Sequence, residues 1–94
     1  MAKRYSKITT VNMVTAGTEY SFKFPEGTKA FELATRDGTA FKYAHVSGDI
    51  ALDNYRTAQK GFSKVELGFS LDVGTYIYFS ADVSGLVMEI EYTL

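Results

Sequence analysis

Hydrophobic and polar positions alternate along most of this chain, and the stretch from 19 to 46 shows the alternation best. Its first segment places Tyr20, Phe22 and Phe24 between polar neighbours. A period of two residues is typical of a strand with one buried and one wet face. The stretch therefore predicts three short strands, at 19–24, 29–36 and 39–46, which are joined by two tight turns.

The same period predicts strands at 8–14, 62–69, 75–81 and 86–93. The segment 75–81 is the most apolar, so we expect it to be central in its sheet. About seven strands, with turn residues between them at intervals of roughly 10–12 residues, favour an antiparallel β-sandwich. The predicted fold is thus all-β, a single antiparallel sandwich, with a jelly roll as the candidate strand arrangement.

The connections carry two further expectations. Asp37-Gly38 is a dipeptide typical of a two-residue hairpin, which predicts that the strands on either side of it pair with each other. The alternation is lost from 50 to 61, and a short helical turn is a candidate within 51–58. Long connections often carry function, so this one is a candidate contact region.

The chain has 94 residues, which is the size of one domain. A domain of this size buries roughly 60–68% of the surface that its unfolded chain exposes, enough to fold alone. We divide it into an N-terminal arm, residues 1–7, and a sandwich domain, residues 8–94. Seven Phe and seven Tyr supply the aromatic side chains for the core.

Charge and composition narrow the function classes. The net charge of −1 argues against a sequence-independent nucleic-acid binder, because such proteins need a basic excess. There is no cysteine for a disulfide, a thiolate metal site or a cysteine nucleophile. No apolar run reaches the length of a membrane span, and no signal peptide is recognised. We expect synthesis in a cytoplasm, with neither nucleic acid nor membrane as a partner.

No residue set predicts catalysis or a cofactor. His45 is the only histidine, and its period-two spacing from Phe41 and Tyr43 places it on the face of those aromatics. Without a local nucleophile or carboxylate beside it, we expect a structural role at the rim. The carboxylates of Glu89 and Glu91, with others on neighbouring strands, fit a wet strand face better than a glycosidase pair.

A metal site is not expected either. Loop aspartates can bind calcium, but their spacing here matches no calcium-binding loop, and aspartate is common in turns for its own backbone hydrogen bonds. The aspartates in predicted turns are Asp37, Asp49, Asp53, Asp72 and Asp82.

Five residues are the candidate partner contacts. Tyr55 and Arg56 belong to the long connection, while Lys3, Arg4 and Tyr5 belong to the arm. Exposed tyrosines favour interfaces, because they bury a large area at little entropic cost. They also stack on sugars, so Tyr55 and the tyrosine-rich strand 75–81 leave a carbohydrate-binding module open as an alternative.

Five segments carry residue patterns that extend beyond simple alternation. They are Tyr20-Ser-Phe-Lys-Phe-Pro25, Gly27-Thr-Lys-Ala-Phe31, Arg36-Asp-Gly-Thr-Ala-Phe-Lys-Tyr-Ala44, the Ser47-Gly48 turn and, more loosely, Val87-Met-Glu-Ile-Glu91. These segments resemble one family, the small virion-associated β-proteins of tailed bacteriophages. The region 50–70 departs from that family's pattern.

The resemblance implies a non-enzymatic structural protein of the virion, most simply a capsid decoration or cement protein. Such a protein would stabilise the shell through its arm and loops, without a cofactor. Its expected partners are the major capsid protein or other virion subunits and further copies of itself, with a trimer favoured. A tail or fibre-associated adhesion domain is the close variant.

Overall fold

The computed structural model describes residues 6–66 and 74–94, and this part of the chain forms eight antiparallel strands. Their bounds are β1 Ser6–Met13, β2 Tyr20–Lys23, β3 Ala30–Thr35, β4 Phe41–Ala44, β5 Arg56–Ala58, β6 Phe62–Glu66, β7 Tyr76–Ser80 and β8 Leu86–Thr93. A short 3-10 helix, η1, spans Ile50–Leu52. The predicted all-β sandwich is confirmed.

The strands form two four-stranded sheets. The β8 sheet has the order β1-β8-β3-β6, and the β7 sheet has the order β2-β7-β4-β5. Strand β1 pairs with β8, β2 with β7, β3 with β6 and β4 with β5. These nested pairs describe one long hairpin rolled up on itself, which is the jelly-roll arrangement. As expected, β7 lies in the interior of its sheet.

The core lies between the two sheets and is built by alternate residues of each strand. In β8 the predicted alternation is confirmed, because Leu86, Met88, Ile90 and Tyr92 are buried. Phe24 packs against Phe31 of the other sheet, with ring centroids 4.5 Å apart. Phe24 also meets Tyr92 edge to face at 6.5 Å. Such aromatic pairs add about 0.5–1.5 kcal/mol each beyond the area they bury.

The hairpin predicted at Asp37-Gly38 is wrong. The turn is present: the Thr39 amide donates to the Asp37 carboxylate at 3.0 Å, and this bond holds the pKa of Asp37 below its usual range. However, β3 and β4 belong to different sheets. Strand β3 already has β6 on one side and β8 on the other, so the chain after the turn crosses to the β7 sheet.

Other boundaries also differ from the expectation. The connection 50–61 contains η1 and an additional strand, β5, which is too short to show alternation. Ser6 and Lys7, assigned to the arm, pair with β8 as the start of β1. The remainder of the predicted arm, residues 1–5, and residues 67–69 of the strand predicted at 62–69 lie outside the described residues.

Gly61, in the β5–β6 turn, packs directly against the β3–β4 turn, and there is no room for a side chain at this contact. The amide of Thr35 donates to the Gly61 carbonyl at 2.9 Å. A Cβ atom on Gly61 would lie 2.5 Å from the Gly38 carbonyl carbon and 2.5 Å from Thr35 Oγ1. Gly61 also has a φ of +71°, in the left-handed region. This close approach fixes the β5–β6 turn against the β3–β4 turn.

We therefore expect Gly61→Ala to lower the free energy of unfolding by about 3 kcal/mol, since backbone strain and overpacking add. Gly85→Ala is the matched control, because Gly85 has a φ of +80° but open space around it. It should cost about 1–2 kcal/mol. Equal losses for the two variants in urea unfolding would show that the close approach contributes nothing.

Candidate functional site

The outer faces of the two sheets differ in what covers them. Ala44 and Ser80 point outward from the β7 sheet by their register, yet both are buried. They are covered by the β4–β5 connection, residues 45–55, in which η1 lies against β4 and β7. The long connection thus folds back over its own sheet instead of projecting from it.

The side chain of Glu19 holds this connection in place by hydrogen bonds. Its carboxylate accepts a hydrogen bond from the Gly48 amide at 3.0 Å and another from the Ser47 hydroxyl at 3.3 Å. Glu19 lies just before β2, at the far edge of the β7 sheet from β5. A carboxylate acceptor makes these bonds stronger than neutral ones.

An open cleft, which we call the end cleft, lies between the β4–β5 connection and β6. Its volume is about 590 Å³. The side chains that line it are those of Tyr43, Ala44, His45, Asp49, Asp53, Asn54, Tyr55, Arg56 and Val65. On the inner side, the Ser63 hydroxyl donates to the Tyr43 hydroxyl at 2.9 Å and links the two sheets.

Two of the predicted contact residues meet at this cleft. Tyr55 is half-buried, and the Lys42 ammonium lies 4.9 Å from its ring centroid. Arg56 is exposed and pairs with Tyr43 across β4 and β5. Lys3, Arg4 and Tyr5 lie outside the described residues.

The chemistry of the end cleft is that of polar binding. Arg56 and Asn54 supply donors, Asp49 and Asp53 supply acceptors, and the Tyr55 ring supplies a flat apolar surface. His45 lies on the side of Tyr43 as predicted, with the two ring centroids 6.1 Å apart. Within residues 6–66 and 74–94, no cluster of three or more potential metal ligands occurs.

A second aromatic surface lies on the exposed part of the β7 sheet. Tyr76 and Tyr78 project from the same face of β7, with their rings 6.1 Å apart and inclined by 20°. Tyr76 is 38% exposed and lies opposite Lys23 of β2. Two nearly parallel rings, one of them open to solvent, form a small stacking surface.

The outer face of the β8 sheet is acidic, and no part of the described chain covers it. We call it the acidic face. Its central groove of about 220 Å³ is lined by Ile8, Glu32, Ala34, Glu89 and Glu91. The register places Glu91 between Ile8 on β1 and Glu32 on β3. Directly opposed like charges are unfavourable in a sheet, so this arrangement is not explained by folding stability.

Cations offset only part of this charge. Arg36 bonds Glu89 at 3.0 Å, and Lys64 lies 3.9 Å from Glu32 and 3.5 Å from Glu66. In the described part of the chain, Glu91 has no ion-pair partner. The alternation of β8 places Glu89 and Glu91 on a wet face, but only the strand order shows that β3 brings Glu32 beside them.

The chain matches no known protein family, and no curated protein is similar to it in sequence. In the described residues, no helix is long and apolar enough to cross a membrane.

The anchoring of the β4–β5 connection can be tested at Glu19. We expect Glu19→Ala to speed hydrogen exchange of the Gly48 amide by about tenfold, because its acceptor is lost. Glu26→Ala is the control, since Glu26 is an exposed glutamate in the β2–β3 turn. Unchanged exchange at Gly48 in Glu19→Ala would show that the carboxylate does not hold the connection.

Proposed function

We propose that this protein is a non-enzymatic structural component of a tailed-phage virion, and specifically a capsid decoration or cement protein. The proposal starts from the resemblance of the segments between 20 and 48 to small virion proteins. It is supported by the jelly roll, an architecture used by viral capsid proteins among others.

The observation that carries the proposal is the unequal covering of the two sheets. The β7 sheet is covered by its own connection around Ala44 and Ser80, whereas no part of the described chain covers the acidic face, which holds large apolar side chains at both edges. Ile8 on β1 is 64% exposed and Phe62 on β6 is 54% exposed. An exposed edge strand that carries an apolar side chain can pair with another chain, and both edge strands of this sheet carry one.

The protein would act by binding shell subunits in many copies. The contacts assigned to this role are the edges of the acidic face at Ile8 and Phe62, together with Tyr55 and Arg56 and the arm with Lys3, Arg4 and Tyr5. Partners are the major capsid protein or other virion subunits, with a homo-oligomer, preferably a trimer, as the binding unit. Repeated weak contacts then sum to firm attachment.

The experiment is a copy-number measurement on virions purified from the source of this chain. We expect a fixed ratio to the major shell protein for the unaltered chain, and a loss of about tenfold or more in occupancy for Phe62→Lys. Leu52→Lys is the matched control, because Leu52 is also exposed, at 70%, but lies on η1 above the other sheet. Virions that lack the chain altogether would contradict the proposal.

Carbohydrate binding is the second candidate function, either as a binding module or as part of a tail or fibre adhesion domain. It is favoured by the stacked pair Tyr76 and Tyr78 and by the polar groups beside Tyr55 in the end cleft. Rings exposed on a sheet face suit stacking on the apolar faces of sugars.

A glycan array probed with the isolated protein tests this candidate. Binding that falls about tenfold or more in Tyr76→Ala would support it, since removal of a tyrosine ring that anchors a ligand costs more than about 1 kcal/mol. Tyr20→Phe is a control that keeps the aromatic core and removes only the hydroxyl that accepts from the Thr15 amide. No binding by the unaltered protein would contradict this second candidate.

A further inference from the structure

We infer that the acidic face binds the basic N-terminal stretch of a second copy of this chain. The inference deepens the proposed function and rests on it in one respect, namely that the protein works as an assembly of copies. It identifies which surface joins those copies and what occupies the groove.

The negative charge of the acidic face favours a positively charged occupant. Four carboxylates face outward from the β8 sheet, those of Glu32, Glu66, Glu89 and Glu91. Two cations, Arg36 and Lys64, face outward with them or bond to them, which leaves two carboxylates in excess. Two such faces would repel each other, so a symmetric contact between two acidic faces is disfavoured. The occupant must bring positive charge.

The chain itself contains a basic segment that complements the acidic face. Residues 3–5 precede β1 and hold two cations, no carboxylate and one aromatic ring, Tyr5. The cations suit Glu89 and Glu91, and the ring offers apolar surface to the exposed side chain of Ile8. No stretch of three residues elsewhere in the sequence carries two cations.

The direction of β1 indicates that the N-terminal residues in the groove come from a second copy and not from the same chain. Strand β1 starts at Ser6 opposite Thr93, and Ile8 and Thr10 then lie opposite Glu91 and Glu89. The groove therefore lies alongside the later residues of β1. To reach it, a chain's own N-terminal residues would have to reverse direction at Ser6, whereas those of a neighbour would not.

Sedimentation velocity of the full chain over a range of concentrations tests the inference without any virion. We expect self-association in about 0.01 M salt that weakens strongly in about 1 M salt, where screening acts within about 3 Å. Glu91→Lys should weaken the association by about tenfold or more, and so should Lys3→Glu with Arg4→Glu. Combining the two sets of changes should restore association towards that of the unaltered chain.

Two controls keep the result interpretable. Asp82→Lys changes the net charge as Glu91→Lys does, but Asp82 lies in the turn between β7 and β8 with a side chain that is 84% exposed, and association should be unchanged. Glu91 is chosen over Glu89, because Glu89 bonds Arg36 and its loss could affect folding. Circular dichroism confirms that each variant is folded.

A protein that stays monomeric at low salt, an association indifferent to Glu91→Lys, or a combined variant that is not restored would each overturn the inference. The proposed virion role is judged separately by copy number. Virions that carry the chain while the isolated protein stays monomeric would reject this inference alone.

Discussion

The contact between the two sheets around Phe24 is the constraint on which the rest of the structure depends. Phe24 follows β2, and its amide donates to the Thr75 carbonyl at 2.9 Å, so its backbone extends the β7 sheet. Its ring packs on Phe31 and Tyr92 of the β8 sheet. Because these rings must face one another, the inner faces of both sheets are fixed, and the side chains on the outer faces follow from the alternation.

That constraint also explains how a small domain presents surfaces of different character. Once the aromatic residues occupy the interior, the outer faces carry what remains of each strand. On the β7 sheet, small residues such as Ala44 lie under the β4–β5 connection, which Glu19 ties down. On the β8 sheet, glutamates and the exposed Ile8 and Phe62 remain uncovered. The second surface is the one that we assign to assembly.

Much of the fold could be predicted from the sequence, because alternation is a local signal. The period of two residues placed β8 correctly at Leu86–Thr93, and the apolar character of 75–81 put β7 in the interior of its sheet. The turn at Asp37-Gly38 was also visible, but its consequence was not. Whether the next strand pairs with β3 depends on β6 and β8, which lie far away in the sequence. Strand β5, with three residues, is too short to carry a period.

The candidate surfaces were harder to predict for the same reason. The sequence singled out Tyr55 and Arg56, and the structure brings both to the end cleft together with His45 and Val65. The folding of the connection over the β7 sheet could not be predicted from the sequence, because it depends on the side chain of Glu19, which lies 29 residues from Gly48. The acidic groove likewise required strand order, because its glutamates come from β3 and β8.

The central claim is that the acidic face is covered in the assembled state while Val46 and Leu52 of the β4–β5 connection stay exposed. Hydroxyl-radical labelling followed by mass spectrometry measures side-chain accessibility directly, in dilute protein and in the assembled form. The account predicts that Ile8 and Phe62 lose reactivity on assembly while Leu52 and Val46, which are comparably exposed, keep theirs. Protection of Leu52 and Val46 with unchanged Ile8 and Phe62 would contradict it.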